Sequence, residues 1–287
     1  MDNKLINNSL SIPEIGFGTW QIGDGEKAVN AVRSAIETGY RHIDTASFYG
    51  NEKSVGEAIR TSGVARTDIF VTSKVWNDER GYDNTLKACE RSLKRLGLEY
   101  IDLYLIHWPA SKLTYPDYRE INTQTWKALI KLYKDKVVRS IGVSNFNNNY
   151  LKLIMDMEYA PMVDQIEFHP GFTQNETVSF CKANNIILEG WSPLAEGKVF
   201  RNEILLQMSK KYNKSVAQIC IRWILQNGVI PLPKASSIEK MKNNLDVYDF
   251  CIEEKDMNII NSINNKELEG CDLETAVFED DEKWHIK

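Results

Sequence analysis

The chain has 287 residues, 43% of them apolar and 26% charged, with a formal net charge of −5. That length buries a sizeable core, and that balance offers no broad attraction for nucleic acid or an anionic membrane. No apolar run reaches bilayer-spanning length, and the opening MDNKLINNSL carries neither a hydrophobic signal segment nor an Arg-rich amphipathic arm, so a cytoplasmic setting is expected.

Residues 4–15 read as a hairpin with Asn7-Asn8 near its turn. Short apolar runs follow at 15–20, 41–46, 68–75, 100–108, 137–145, 162–169, 186–194 and 228–233. Several carry adjacent apolar residues instead of strict alternation, as parallel strands covered on both faces do. Between them the period becomes helical. Ala28, Val32, Ala35 and Ile36 form one stripe; Leu86, Cys89, Leu93 and Leu96 a second; Trp126, Leu129, Ile130 and Tyr133 a third; Val216, Ile219, Trp223 and Ile224 a fourth. Eight strands separated by helices predict a single α/β domain over residues 1–287, a (β/α)8 barrel preceded by the hairpin. The first strand offers Gly16 and Gly18, but Trp20 and Gln21 follow where a dinucleotide fingerprint needs its third glycine. After Leu245 come another helix, EEKDMNIINSI, and an acidic tail that either closes over the barrel mouth or stays loose.

Five cysteines, Cys89, Cys181, Cys220, Cys251 and Cys271, are widely spaced with no CxxC, which favours reduced thiols. The four histidines are too scattered for a His-rich metal site, and no metal is expected.

The chemistry gathers at strand ends. Asp44 ends the second strand, Tyr49 lies in the loop after it, Lys74 ends the third and His107 the fourth. Neighbouring C-terminal ends of a (β/α)8 barrel converge on the mouth where chemistry is placed. Each residue has a plainer alternative: Asp44 as the cap of a turn near Asn51, Tyr49 as loop packing, His107 as a bonded core histidine. Together they suit proton transfer to a carbonyl oxygen. A tyrosine is a feeble acid, and an adjacent ammonium, itself held by a carboxylate, is expected to lower its pKa. No side chain supplies a hydride, so a cofactor is implied for a reductase. The segment PLPKASSIEKMKNN ends the last strand with Lys234, and Ser236 with Glu239 matches a capping box. Such a helix start, with Lys234 and Lys240 nearby, attracts phosphate; a solvated lysine-rich face is the alternative. Trp191 suits either stacking on a flat ring or packing.

The motifs GFGTW, GYRHIDTASFYGNE, SKVW, DLYLIHWP, IGVSNF, DQIEFHP, WSPLAEG and IPLPKASSIEKMKNN together resemble the aldo-keto reductase family, and in particular its compact bacterial branch. The resemblance implies a TIM-barrel reductase that binds NADPH, with NADH also possible, and reduces aldehydes and reactive ketones. It implies a catalytic tetrad of Asp44, Tyr49, Lys74 and His107, with Tyr49 as acid. It places Ser144, Asn145 and Gln165 on the nicotinamide carboxamide, Trp191 against the ring and Leu194 on the cofactor through its backbone. Lys234, Ser236, Lys240 and Asn244 fall at the adenosine end. Trp20, Phe48, Trp76, His107 and Trp108 fall on the substrate side. The chain departs from the pattern at Lys240, where relatives often carry arginine, at Ala235 and at Asn243, which makes dual cofactor use an expectation. The expected partner is a small carbonyl compound; no protein partner is indicated. From the residues alone, a barrel isomerase or lyase, or a cofactor-binding partner subunit, remains an alternative.

Overall fold

The computed structural model describes residues 3–6, 9–113, 115–264, 268 and 270. The hairpin turn at Asn7-Asn8, Cys271 and most of the acidic tail lie outside the described residues. Strands β1 (Asn3–Leu5) and β2 (Ser11–Pro13) pair antiparallel as the opening hairpin. Lys4 donates to the Gly228 carbonyl at 2.6 Å, which sets the hairpin at the N-terminal end of the barrel strands.

Eight parallel strands follow: β3 (Phe17–Gly18), β4 (His42–Asp44), β5 (Phe70–Val75), β6 (Leu103–Ile106), β7 (Ile141–Ser144), β8 (Val163–Glu167), β9 (Ile187–Trp191) and β10 (Ile230–Pro231). Each pairs with the next in chain order. The ends join through Gly16 N–H to the Pro231 carbonyl at 3.0 Å and Gly18 N–H to the Pro233 carbonyl at 3.2 Å, closing the barrel. A Cβ at Gly18 would lie 2.9 Å from the Leu232 carbonyl oxygen, so glycine permits this close seam.

The paired strands are shorter than the apolar runs that announced them. In the run 100–108, regular pairing covers Leu103–Ile106, while Ile101 makes an isolated bridge to Val138 and the His107 N–H bonds the Val75 carbonyl. The barrel's twist carries the ends out of regular pairing and into loops.

The α-helices of the described residues are α1 (Glu26–Thr38), α2 (Glu52–Thr61), α3 (Tyr82–Leu96), α4 (Tyr118–Lys134), α5 (Asn148–Leu151), α6 (Asn175–Ala183), α7 (Glu203–Tyr212), α8 (Val216–Gln226), α9 (Ile238–Leu245) and α10 (Glu254–Asn261). Ala28, Val32, Ala35 and Ile36 of α1 are buried, as are Val216, Ile219, Trp223 and Ile224 of α8. A capping box of Ser215 and Gln218 starts α8 by satisfying two otherwise orphaned donors. Helices α2 and α7, outside the four stripes, also bury a helical face, through Val55, Ala58 and Ile59 and through Leu205 and Met208. Helix α9 starts one residue later than the Ser236–Glu239 pattern suggested: Ser237 is the cap, accepting from the Lys240 N–H. Cys89, Cys181 and Cys220 are buried free thiols, and Cys251 is free and exposed. No helix among the described residues is long and apolar enough to cross a membrane.

Candidate active site

The strand ends surround a cavity of about 620 Å³. Alternation along a strand decides what enters it. On β5, Ser73 points away and donates to buried Glu52 at 2.6 Å, which also accepts from Arg95. Lys74 therefore points in. Its Nζ is fully buried and lies 2.8 Å from both Asp44 carboxylate oxygens, 2.9 Å from the Thr45 carbonyl and 3.3 Å from the Tyr49 hydroxyl. Asp44 is thus the partner of Lys74 and not the cap of a turn.

Tyr49 sits on a short 3-10 turn, Ser47–Tyr49, that ends at Gly50 in left-handed backbone. The turn is tied at both ends. Ser47 donates to the Lys74 carbonyl at 3.0 Å. Asn51 accepts from the Thr45 hydroxyl at 2.7 Å and donates to the Thr19 carbonyl at 2.9 Å, linking the loop to the end of β3. These bonds hold the loop that carries Tyr49 between β3 and β5.

Burial raises the tyrosine pKa to about 12, with Lys74 pulling down and Asp44 pushing up. The expected net lowering is therefore reversed: desolvation outweighs the ammonium, and the hydroxyl keeps its proton at neutral pH. Burial also disfavours the Lys74 ammonium, but Asp44 and Tyr49 outweigh it and hold that pKa above the ordinary lysine value. His107 is held well below the ordinary histidine value by burial and by the charges of Lys74 and Arg80. It is a neutral imidazole, with a ring centre 5.6 Å from that of Tyr49. Its Nδ1 has no hydrogen-bond partner among the described residues.

Aromatic rings wall one side. Phe48 stacks on Trp76 at 3.7 Å, Trp20 lies 4.9 Å from Tyr49, and Trp76 meets His107 edge-on at 4.9 Å. Trp108 lies against Trp191 at 6.4 Å. Polar groups from β7, β8 and β9 form the opposite side. Ser144 donates to the Gln165 carbonyl at 2.7 Å, and Trp191 donates to the Asn145 side chain at 2.9 Å. Asn145 in turn donates to the His107 carbonyl at 3.0 Å, joining the two sides. Asn145, Ser192, Ala195 and Glu196 all adopt positive φ at this rim, a strained backbone of the kind that gathers at functional loops.

The cavity thus brings together the tetrad positions apart from fully enclosed Lys74, the aromatic wall, Ser144, Asn145, Gln165, Trp191, Leu194 and Lys234. It does not include Ser236, Lys240 or Asn244. Ser236 and Lys240 are exposed around the start of α9, and Asn244 is buried. Leu268 and Gly270, the described parts of the tail, do line the cavity. Glu189 and His169 are buried at the site without a local sequence signal that marks them. Glu189 bonds Gln165 beneath the cavity, and its run, IILEGW, reads as a plain apolar strand.

A model of the aldo/keto reductase family matches residues 14–265, and the chain belongs to that family: it is an oxidoreductase of aldehydes and ketones. This sets aside the isomerase, lyase and non-catalytic readings. The glyoxal reductase of Bacillus subtilis (strain 168) is 46% identical over 278 residues, covering 96% of this chain and 98% of that one. The 9,11-endoperoxide prostaglandin H2 reductase of Trypanosoma cruzi (strain CL Brener) is 47% identical over 93% of each chain. A crystal structure of a Gox0644 mutant in complex with NADPH is 39% identical, with a TM-score of 0.88 over 96% of this chain and 99% of the other.

Proposed function

We propose that this chain reduces small aldehydes and reactive ketones with NADPH, accepting NADH as well, and that Tyr49 is the acid that protonates the carbonyl oxygen. The observation that carries the assignment is the Tyr49 hydroxyl held 3.3 Å from the Lys74 ammonium at the edge of an aromatic cavity. The residues on the opposite side fit a nicotinamide. Ser144, Asn145 and Gln165 offer amide and hydroxyl groups for its carboxamide, Trp191 offers a flat face, and Leu194 offers backbone. Lys234, Ser236, Lys240 and Asn244 serve the adenosine end, where cations suit a phosphate. A bound reduced nicotinamide supplies the hydride.

The chain's own groups do the rest. Lys74 donates toward the Tyr49 oxygen and stabilises the phenolate left when the proton departs, while Asp44 keeps the ammonium in place. His107, neutral, hydrogen-bonds and orients the carbonyl oxygen without competing as the acid. Trp20, Phe48, Trp76 and Trp108 hold the organic part of the substrate and exclude water. Glyoxal reductase among the relatives supports small dicarbonyls as a substrate class. A cytoplasmic location suits the free thiols of Cys89, Cys181, Cys220 and Cys251.

Purified protein assayed with NADPH and NADH against glyoxal, simple aldehydes, ketones and sugars tests this. Tyr49→Phe should keep NADPH binding and lose turnover by roughly a hundredfold or more. Undiminished turnover in that variant would remove Tyr49 from the acid's role.

A further inference from the structure

Glu189 of β9 is fully buried, and the reaction above gives it no part. Its Oε2 accepts from Gln165 Nε2 at 2.8 Å, and Asp44 Oδ2 accepts from the same nitrogen at 2.9 Å. An amide nitrogen carries two protons, so both are committed to carboxyl groups. The Asp44 carboxylate only accepts, so a flipped amide would press its oxygen against that group. The two carboxyl groups therefore fix the amide orientation and leave the Gln165 carbonyl oxygen for the cavity that Gln165 lines.

Glu189 has no cation of its own. The titratable or charged groups facing it are Asp44 and His42 of β4 and Lys74 of β5. Lys74 is already committed to Asp44. His42 lies 3.5 Å away, but burial and Lys74 push its pKa down to about 3, so it is neutral. Glu189 Oε1 has no hydrogen-bond partner among the described residues. Burial and the nearby Asp44 carboxylate raise the Glu189 pKa to about 8, so near neutrality it is mostly a neutral acid.

We propose that Glu189 is a positioning residue for the cofactor: with Asp44 it locks the Gln165 amide toward the nicotinamide carboxamide, and its ionisation biases the site toward the oxidised, cationic ring. The inference rests on the cofactor reading above. Losing the Glu189 proton to solvent adds a negative charge behind Gln165, which attracts a cationic nicotinamide and does nothing for a neutral one.

Dissociation constants for NADPH and NADP+ are measured by quenching of protein fluorescence at about pH 6.5 and about pH 9, on either side of the Glu189 transition. The 2′-phosphate is common to both nucleotides and cancels in their ratio. In the wild type the ratio of the NADP+ to the NADPH constant should fall by about tenfold as pH rises. Glu189→Gln keeps a carbonyl oxygen toward Gln165 but has no proton to lose, and its ratio should move by less than about twofold. Glu189→Leu frees the amide and should bind NADPH roughly tenfold more weakly at the lower pH. A wild-type ratio that stays still, a full shift persisting in Glu189→Gln, or unweakened NADPH binding in a folded Glu189→Leu protein each overturns the inference. Should Glu189→Leu not fold, the Glu189→Gln comparison alone decides. A wild type that binds neither nucleotide sinks the cofactor reading itself, and the inference with it.

Discussion

The Lys74 ammonium touches both oxygens of the Asp44 carboxylate at 2.8 Å inside the barrel, where Lys74 is wholly shielded from water. Removing one partner of such a pair leaves the other as an uncompensated buried charge. Lys74→Met should therefore lower stability by about 3–5 kcal/mol. Asp44→Asn with Lys74→Met removes both charges and should recover part of that loss, while turnover stays low because Tyr49 still lacks its cation. Denaturant unfolding of both single variants and the double variant checks this. A double variant less stable than Lys74→Met would contradict it.

The buried Glu189 and His42 should shape stability against pH in opposite directions. Glu189 has its folded pKa raised from 4.5 to about 8, so the folded state holds its proton longer than the unfolded chain does. Its contribution is fully present below the unfolded value and falls away as pH rises toward 8. His42 has its folded pKa lowered from 6.5 to about 3, so stability is gained as pH rises across that span. The two slopes oppose each other where they overlap. Above the ordinary histidine pKa the Glu189 slope continues without the opposing one. Between about pH 6.5 and pH 8 the wild type should lose stability relative to Glu189→Gln. Paired denaturant titrations at fixed ionic strength measure the difference, and parallel curves would show that Glu189 does not titrate there.

Lys240 lies in the first turn of α9, exposed, with its backbone N–H donating to the Ser237 cap. Under the proposed cofactor placement its charge meets the phosphate that distinguishes NADPH from NADH. Lys240→Ala should raise the KM for NADPH by about tenfold and leave that for NADH nearly unchanged. Lys240→Arg, with a guanidinium fork in place of a point charge, should widen the preference for NADPH. Equal losses with both nucleotides would instead assign Lys240 to general support of the helix.

Asp44 and Lys74 were legible because charged residues at the ends of otherwise apolar strands stand out, and strand order brings those ends together. Glu189 carries the same charge on the same kind of strand. It lies two residues before Trp191, inside the run, and nothing local reveals that alternation turns it toward Gln165. The net pKa of Tyr49 is not legible for a related reason: sequence supplies the neighbouring cation but not the depth of burial, which dominates. The start of α9 was missed by one residue because Ser236 and Ser237 are adjacent. Only backbone geometry decides which hydroxyl faces the free N–H groups, and it selects Ser237.

Gly56 shows the same dependence on tertiary structure, now in stability. It lies on α2 where that helix crosses the end of α3, and a Cβ there would fall 1.8 Å from the Leu96 carbonyl oxygen. In an isolated helix, alanine is preferred to glycine by up to about 1 kcal/mol. Here the obstacle is backbone, which cannot rotate aside as a side chain would. Leu96 is also the last residue of α3, where Arg60 of α2 bonds the same carbonyl. Gly56→Ala should therefore reverse the helix preference and destabilise the protein by about 1–3 kcal/mol. Glu57→Ala, exposed on the same helix, should stay within about 0.5 kcal/mol of the wild type. Thermal or denaturant unfolding distinguishes the two substitutions, while turnover per folded molecule should be nearly equal because the contact lies outside the barrel mouth. A Gly56→Ala protein as stable as the wild type would mean that α2 and α3 separate at little cost, and the close approach would then not be what keeps glycine at this position.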